Sequence, residues 1–242
     1  MPDIIANAND GVVTISSQTS HANARDADSA TVSQTTSDSS TTGVRYIKSS
    51  GRGGGSSYSI SRTFFYFDTS TISSTVVSAT LRIFGSNNGL ADLIVMKSDA
   101  FGGDGGTALA TTDFNNIVGQ TDGESMSVSS GCVEYSSEVA SWNTSTVNVI
   151  TLNAAALSDM VSDDFFIIAL VQFDNDYLNV DPPIPVSLST GMKLSEVANT
   201  AQKPTLRYNL GYGNDVIGLA AASISKINSL ATANVGKVNS LD

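Results

Sequence analysis

His21 and Cys132 are the single histidine and the single cysteine of this 242-residue chain. Most nucleophilic and metal-based chemistry draws on these two residue types, so their scarcity is the first constraint. A Ser-His-Asp or Cys-His arrangement would have to use His21, which sits in a polar stretch near the N-terminus. One cysteine closes no internal disulfide, and no Cys-x-x-C or His cluster offers a zinc site. The glycine run Gly51-Arg52-Gly53-Gly54-Gly55 lacks the G-x-x-x-x-G-K-[ST] spacing of a phosphate cradle and reads as a turn. Carboxylates are the remaining candidates. Asp163-Asp164 precedes and Asp174-Asn175-Asp176 follows a long apolar run, and clustered carboxylate and amide oxygens suit Ca²⁺. Asp174 and Asp176 are the calcium candidates on that ground, although no EF-hand spacing is present and Asp is also an ordinary turn residue. No spacing selects a pair of acids that would face each other across about 5–10 Å, as glycoside hydrolysis needs. The expectation is a chain without catalytic residues and with no cofactor beyond a calcium ion.

Aromatic rings offer a second chemistry. Trp142, Tyr66, Tyr135 and Tyr177 could each lend a flat apolar face to a sugar, and Tyr177 and Trp142 are the glycan-binding candidates. Aromatics are 7% of the chain, and a lone Trp in a β-rich protein more often belongs to the core. Cys132 reads as a small core hydrophobe.

These residues sit on a backbone whose composition favours strands and turns. There are 37 Ser and 23 Thr, about one residue in four, and 19 of the 23 acids are Asp. Asp, Ser, Thr, Asn and Gly prefer strands, turns and caps to helix interiors. Charged residues are only 14% against 40% hydrophobic, and the net charge is −11. That acidity, with twelve scattered basic residues, excludes a duplex nucleic-acid binder. No eighteen-residue apolar window suggests a membrane span, and the N-terminal MPDIIANANDG does not resemble a signal peptide. The acid excess suits solubility and self-repulsion between closely arrayed copies.

Periodicity then supplies the elements. Val77, Ala79, Leu81 and Ile83 alternate with Ser78, Thr80 and Arg82, which predicts a strand with one face on a core. Strands are also expected at 12–16, 44–48, 58–67, 92–97, 147–152 and 205–210, the last with Leu206, Tyr208 and Leu210 on one side. The run FFIIALVQF at 165–173 is apolar throughout and reads as a central strand buried on both faces. Asn153 is placed to cap a short helix over AAALSDMV. Short strands separated by Gly, Asn, Asp and Ser turns predict an all-β, jelly-roll-like β-sandwich. Its domain would span 44–211, behind a polar N-terminal arm with early strands over 1–43.

The last residues, 212–242, differ in kind. Ile224-Ser225-Lys226-Ile227-Asn228-Ser229-Leu230 recurs as Val235-Gly236-Lys237-Val238-Asn239-Ser240-Leu241, an offset of eleven. On a helix that offset keeps one apolar stripe; Gly236, the β-branched residues and the two Asn-Ser pairs suit short strands or turns equally. Such a tail is too short for a core of its own. Ile224, Ile227, Leu230, Val235, Val238 and Leu241 are therefore the candidate assembly contacts, against another copy or another protein.

Residues 60–210 resemble the β-sandwich domains related to carbohydrate-binding modules and to the DNRLRE-type domain of bacterial and phage surface proteins. The likeness rests on RTFFYFDTSTI, SATLRIFG, VNVITLNAAALSDM, FFIIALVQFDNDYLN and KPTLRYNL in that order. The letters DNRLRE themselves are absent. The tail resembles the I-x-K-V-N repeats that end some phage virion proteins. These resemblances imply a virion protein made in the host cytoplasm, most simply a capsid decoration or knob-like protein displayed on the particle. They also imply other virion proteins as partners and a homo-oligomer, with a trimer as the expected state. A tail adhesin or fibre-associated protein that binds host-surface polysaccharide is the alternative they leave open. Neither nucleic acid nor membrane is an expected partner.

Overall fold

A computed structural model describes residues 1–34, 38–51, 54–211, 226–227 and 230–231. In chain order the regular elements are β1 (Asp3–Ile5), β2 (Gly11–Gln18), α1 (His21–Arg25), β3 (Val32–Gln34), β4 (Ser39–Ser50), β5 (Ser56–Asp68), β6 (Val76–Gly89), β7 (Leu93–Lys97), β8 (Val147–Thr151), α2 (Ala154–Ser162), β9 (Phe165–Gln172), β10 (Val186–Lys193) and β11 (Thr205–Leu210). A last pair, β12 (Lys226–Ile227) and β13 (Leu230–Ala231), follows in the tail. The protein is all-β, and among the described residues every strand pairing is antiparallel.

Two layers of strands form a sandwich. One layer runs β1–β11–β6–β8. The other is built on the 13-residue β5, which pairs β2 and then β3 outward, and β9 and then β7. The strand β4 pairs the first half of β5, and β10 joins β4 to the far half of β6, so the layers are continuous at one corner. That corner needs glycine. A Cβ on Gly191 would stand 2.0 Å from the Ser86 carbonyl oxygen, and one on Gly85 would stand 1.8 Å from that of Asn143.

Strand alternation sorts the side chains. Phe166, Ile168 and Leu170 of β9 face the inner core between the layers, with Phe65, Phe67, Leu81, Ile83, Leu93, Val95, Ile150 and Leu206. Ile167, Ala169 and Val171 point the other way, into an outer core with Ile60, Phe64, Ile94, Met96 and Phe101. FFIIALVQF is thus buried on both faces, as its composition predicts. The outer core is roofed by irregular chain, chiefly residues 98–135, and by α1.

One local reading differs from expectation. The even alternation of 77–83 breaks at its start: Val76 is buried and Val77 is 46% exposed. The cause is a register shift between Asn209 and Leu210 on β11, which turns the end of β6 over by one residue. Residues 125–134 carry a short 3₁₀ turn at Val128–Ser130, and Val128 faces solvent. The expected N-terminal arm with early strands supplies β1, β2 and β3, and Val12, Val13 and Ile15 of β2 are core residues. Its polar stretch turns back as α1, with the Ser20 hydroxyl accepting from the Asn23 amide.

Candidate functional site

The irregular roof carries most of the polar side chains that sequence position alone does not connect. At its centre Asp176 is buried and is held bidentately by Arg62, whose Nη2 and Nε donate to its two carboxylate oxygens at 2.7 and 2.9 Å. Arg62 also donates to the Phe114 carbonyl, and its guanidinium lies 4.2 Å from the Phe114 ring centroid. Arg25, equally buried, donates to the backbone carbonyls of Asp176 and Glu124 and to the Asp26 carboxylate. Buried charges persist when they are paired and hydrogen-bonded in full. This group does that for three segments at once, tying α1, β5 and the turn after β9 together.

The consequence for calcium is a correction. A single π-helical turn, Phe173–Tyr177, sends Asp174 outward and Asp176 inward, so the two do not share a site. Asp174 instead lies near Asp92 and Glu138, brought together by the start of β7, the end of β9 and the segment that pairs beside β7 through Leu93 and Val139. Burial and then the Asp174 charge raise the Asp92 carboxyl above the usual carboxylate range; burial and then Asp92 raise Glu138. Among the described residues no group of three or more His, Cys, Asp or Glu has an arrangement able to hold a metal ion.

Tyr177 is likewise corrected as a sugar platform. It is buried, stacked on Phe173 at 5.0 Å between centroids, and its hydroxyl donates to Glu134. Tyr135 is also buried, stacked on Phe166 in the inner core. Trp142 is half-buried; its indole N–H donates to the Gly191 carbonyl at 3.0 Å, which closes the glycine corner. Next to it, Ser137–Ser141 and residues 149–153 line an open cleft of about 420 Å³ between the β8 edge and the segment beside β7. Cys132 is a buried free thiol, as expected, and burial pushes its pKa up.

His21 is engaged on both ring nitrogens, Nδ1 with the Tyr46 hydroxyl at 2.6 Å and Nε2 with Asn179 Oδ1 at 2.9 Å. Beside it Asp181 accepts from Lys48 and from the Tyr58 hydroxyl. This network holds the loop 178–185 against the β4–β5 hairpin and presents no free nucleophile. The sequence offered one hint of the polar roof: Arg62 shares a strand face with Ile60 and Phe64, where a charge must find a buried partner.

In the tail, Ile227 pairs with Leu230 where β12 and β13 run antiparallel. The described residues of the first repeat, Lys226, Ile227 and Leu230, are thus in strand pairing. Ile224, Val235, Val238 and Leu241 lie outside the described residues. Among the described residues no helix is long and apolar enough to cross a membrane. Fold and sites together define an all-β sandwich with a polar-stapled roof and a repeat-bearing tail. No family model matches the chain, and no curated protein is similar enough to it to count as a relative.

Proposed function

We propose that this chain is a non-enzymatic bacteriophage virion protein, a capsid decoration or knob-like protein whose sandwich faces outward and whose C-terminal repeat anchors it. One observation carries this: an apolar repeat at 224–241, each copy too small for a core of its own, lies beyond β11, the last strand of the sandwich. A segment of that kind lowers its free energy by burying its apolar side chains against a neighbour, at about 25 cal/mol per Å². The motif likeness to phage surface proteins and a net charge of −11, which keeps crowded copies apart, support the same assignment. The partners are other virion proteins and further copies of the chain, with a trimer as the proposed state. The test is the location and copy number of the chain in an electron-microscopy reconstruction of the particle. Many copies over the capsid is the expected result; its absence from particles would refute the proposal.

The cleft beside β8, with half-buried Trp142 next to it in sequence, favours a second reading, a tail adhesin for host-surface glycan. On that reading the purified chain binds glycans in an array and loses binding in Trp142→Ala. No signal at high protein concentration would end it.

A further inference from the structure

The helix α2 has two apolar stripes. Ala156 and Met160 are fully buried in the inner core. Ala154, Leu157, Ser158 and Val161, about a hundred degrees around the helix, face instead a groove of about 500 Å³ whose opposite wall is Thr75 and Val76. Val161 remains 38% exposed, and Val77 beside this wall 46%. Aligned apolar side chains around a groove are costly to leave in water.

The chain itself passes this groove. The Gly211 amide, just after β11, donates to the carbonyl of Thr75 at 2.8 Å, so the tail departs from the groove wall. Only Tyr212, Gly213, Asn214 and Asp215 then precede the run Val216-Ile217-Gly218-Leu219-Ala220-Ala221-Ala222. Four extended residues span at most about 14 Å. A tether this short gives an effective concentration on the order of millimolar, well above that of another molecule in solution. The run is apolar and small, with three large side chains for one open groove, and neither wall carries a charge.

We propose that the groove between α2 and the start of β6 is the seat of residues 216–222 of the same chain. Seating this run fixes the root of the tail to the sandwich and sets the direction in which the repeats at 224–241 leave. This holds whatever the repeats bind, so it stands or falls separately from the virion assignment.

The test is disulfide trapping in the full-length chain carrying Cys132→Ser, with Val161→Cys and Ile217→Cys added. Ile184→Cys with Ile217→Cys is the control, because exposed Ile184 lies two residues before Val186, which pairs with Lys48 opposite Tyr58, at the other end of β5 from α2. Under copper-phenanthroline and air the first pair is expected to close within one molecule, much faster than the control. A covalent dimer would show that the groove takes a neighbour's tail, and closure no faster than the control would show that it takes no tail at all; either overturns the proposal. Val161→Asp, at an exposed position, supplies a second readout. Cleavage by chymotrypsin after Tyr212 or Leu219 should become several-fold faster in the otherwise unchanged full chain. An unchanged rate also counts against the proposal.

Discussion

The two faces of the layer built on β5 and β9 are both dry, yet they are closed in different ways. The inner face meets a second set of strands, and regular ladders satisfy its backbone while aliphatic and Phe side chains interdigitate. The outer face meets chain with almost no ladder to share. There the orphan carbonyls of Phe114, Glu124 and Asp176 are taken up by Arg62 and Arg25. Backbone groups removed from water must find partners, and side chains supply them wherever strands do not. The outer core therefore adds a few charged contacts to its apolar packing, whereas the inner one rests on many small dispersion and burial contributions alone.

That difference can be broken or sharpened by substitution. The largest effect is expected from Asp176→Ala, which leaves Arg62 buried without its counter-ion and should cost about 3–5 kcal/mol in denaturant unfolding. Hydrogen exchange should rise in residues 98–135 ahead of the strands; uniform loss of protection would mean that roof and sandwich are a single cooperative unit. Leu81→Ala, in the inner core, should cost about 3 kcal/mol and raise exchange across both layers together. A loss confined to the roof would contradict the division.

Asp10 tests the end of the inner core by pH. It is buried and accepts from the Ser195 amide and hydroxyl, and burial raises its pKa to about 7, the neighbouring Glu196 adding to the rise. A carboxyl with a raised folded-state pKa stabilises the fold in its protonated form. Its contribution is present below about pH 4 and is lost as the pH rises through 7. Asp10→Asn should accordingly match the parent at pH 4 and exceed it at pH 8 by on the order of 2 kcal/mol. An equal difference at both pH values would rule out titration at Asp10. The smallest effect is expected at the helix cap. The Asn153 Oδ1 accepts from the Ala156 amide, and its Nδ2 donates to the Glu134 carbonyl. Asn153→Ala should cost about 1 kcal/mol, measurable as a lower Tm, whereas an unchanged Tm would mean the cap adds nothing.

The same division explains what could be read beforehand. The inner core was legible because alternation is a local property: Ala79, Leu81 and Ile83, Leu206 and Tyr208, and the doubly buried β9 all follow from residues two apart. So was α2, from Asn153 and the apolar spacing behind it. The roof was not legible, because its contacts join residues far apart in the chain. Arg62 and Asp176 are 114 positions apart, His21 and Asn179 158. For the same reason Asp174 and Asp176 looked like one calcium site: two positions of spacing does not say that a π-helical turn will split them. Tyr177 was misjudged as a platform because nothing near it in sequence shows that Phe173 and Glu134 cover it.

On the proposed assignment the sandwich is displayed and the tail anchors it. Its most direct measurement is the copy number of a chain truncated after Gly211 in purified particles, beside the full chain and with both shown to be folded by their thermal unfolding. The truncated chain is expected to fold with an unchanged inner core and to be lost from the particles. Incorporation at the full copy number would contradict the anchoring role of residues 212–242.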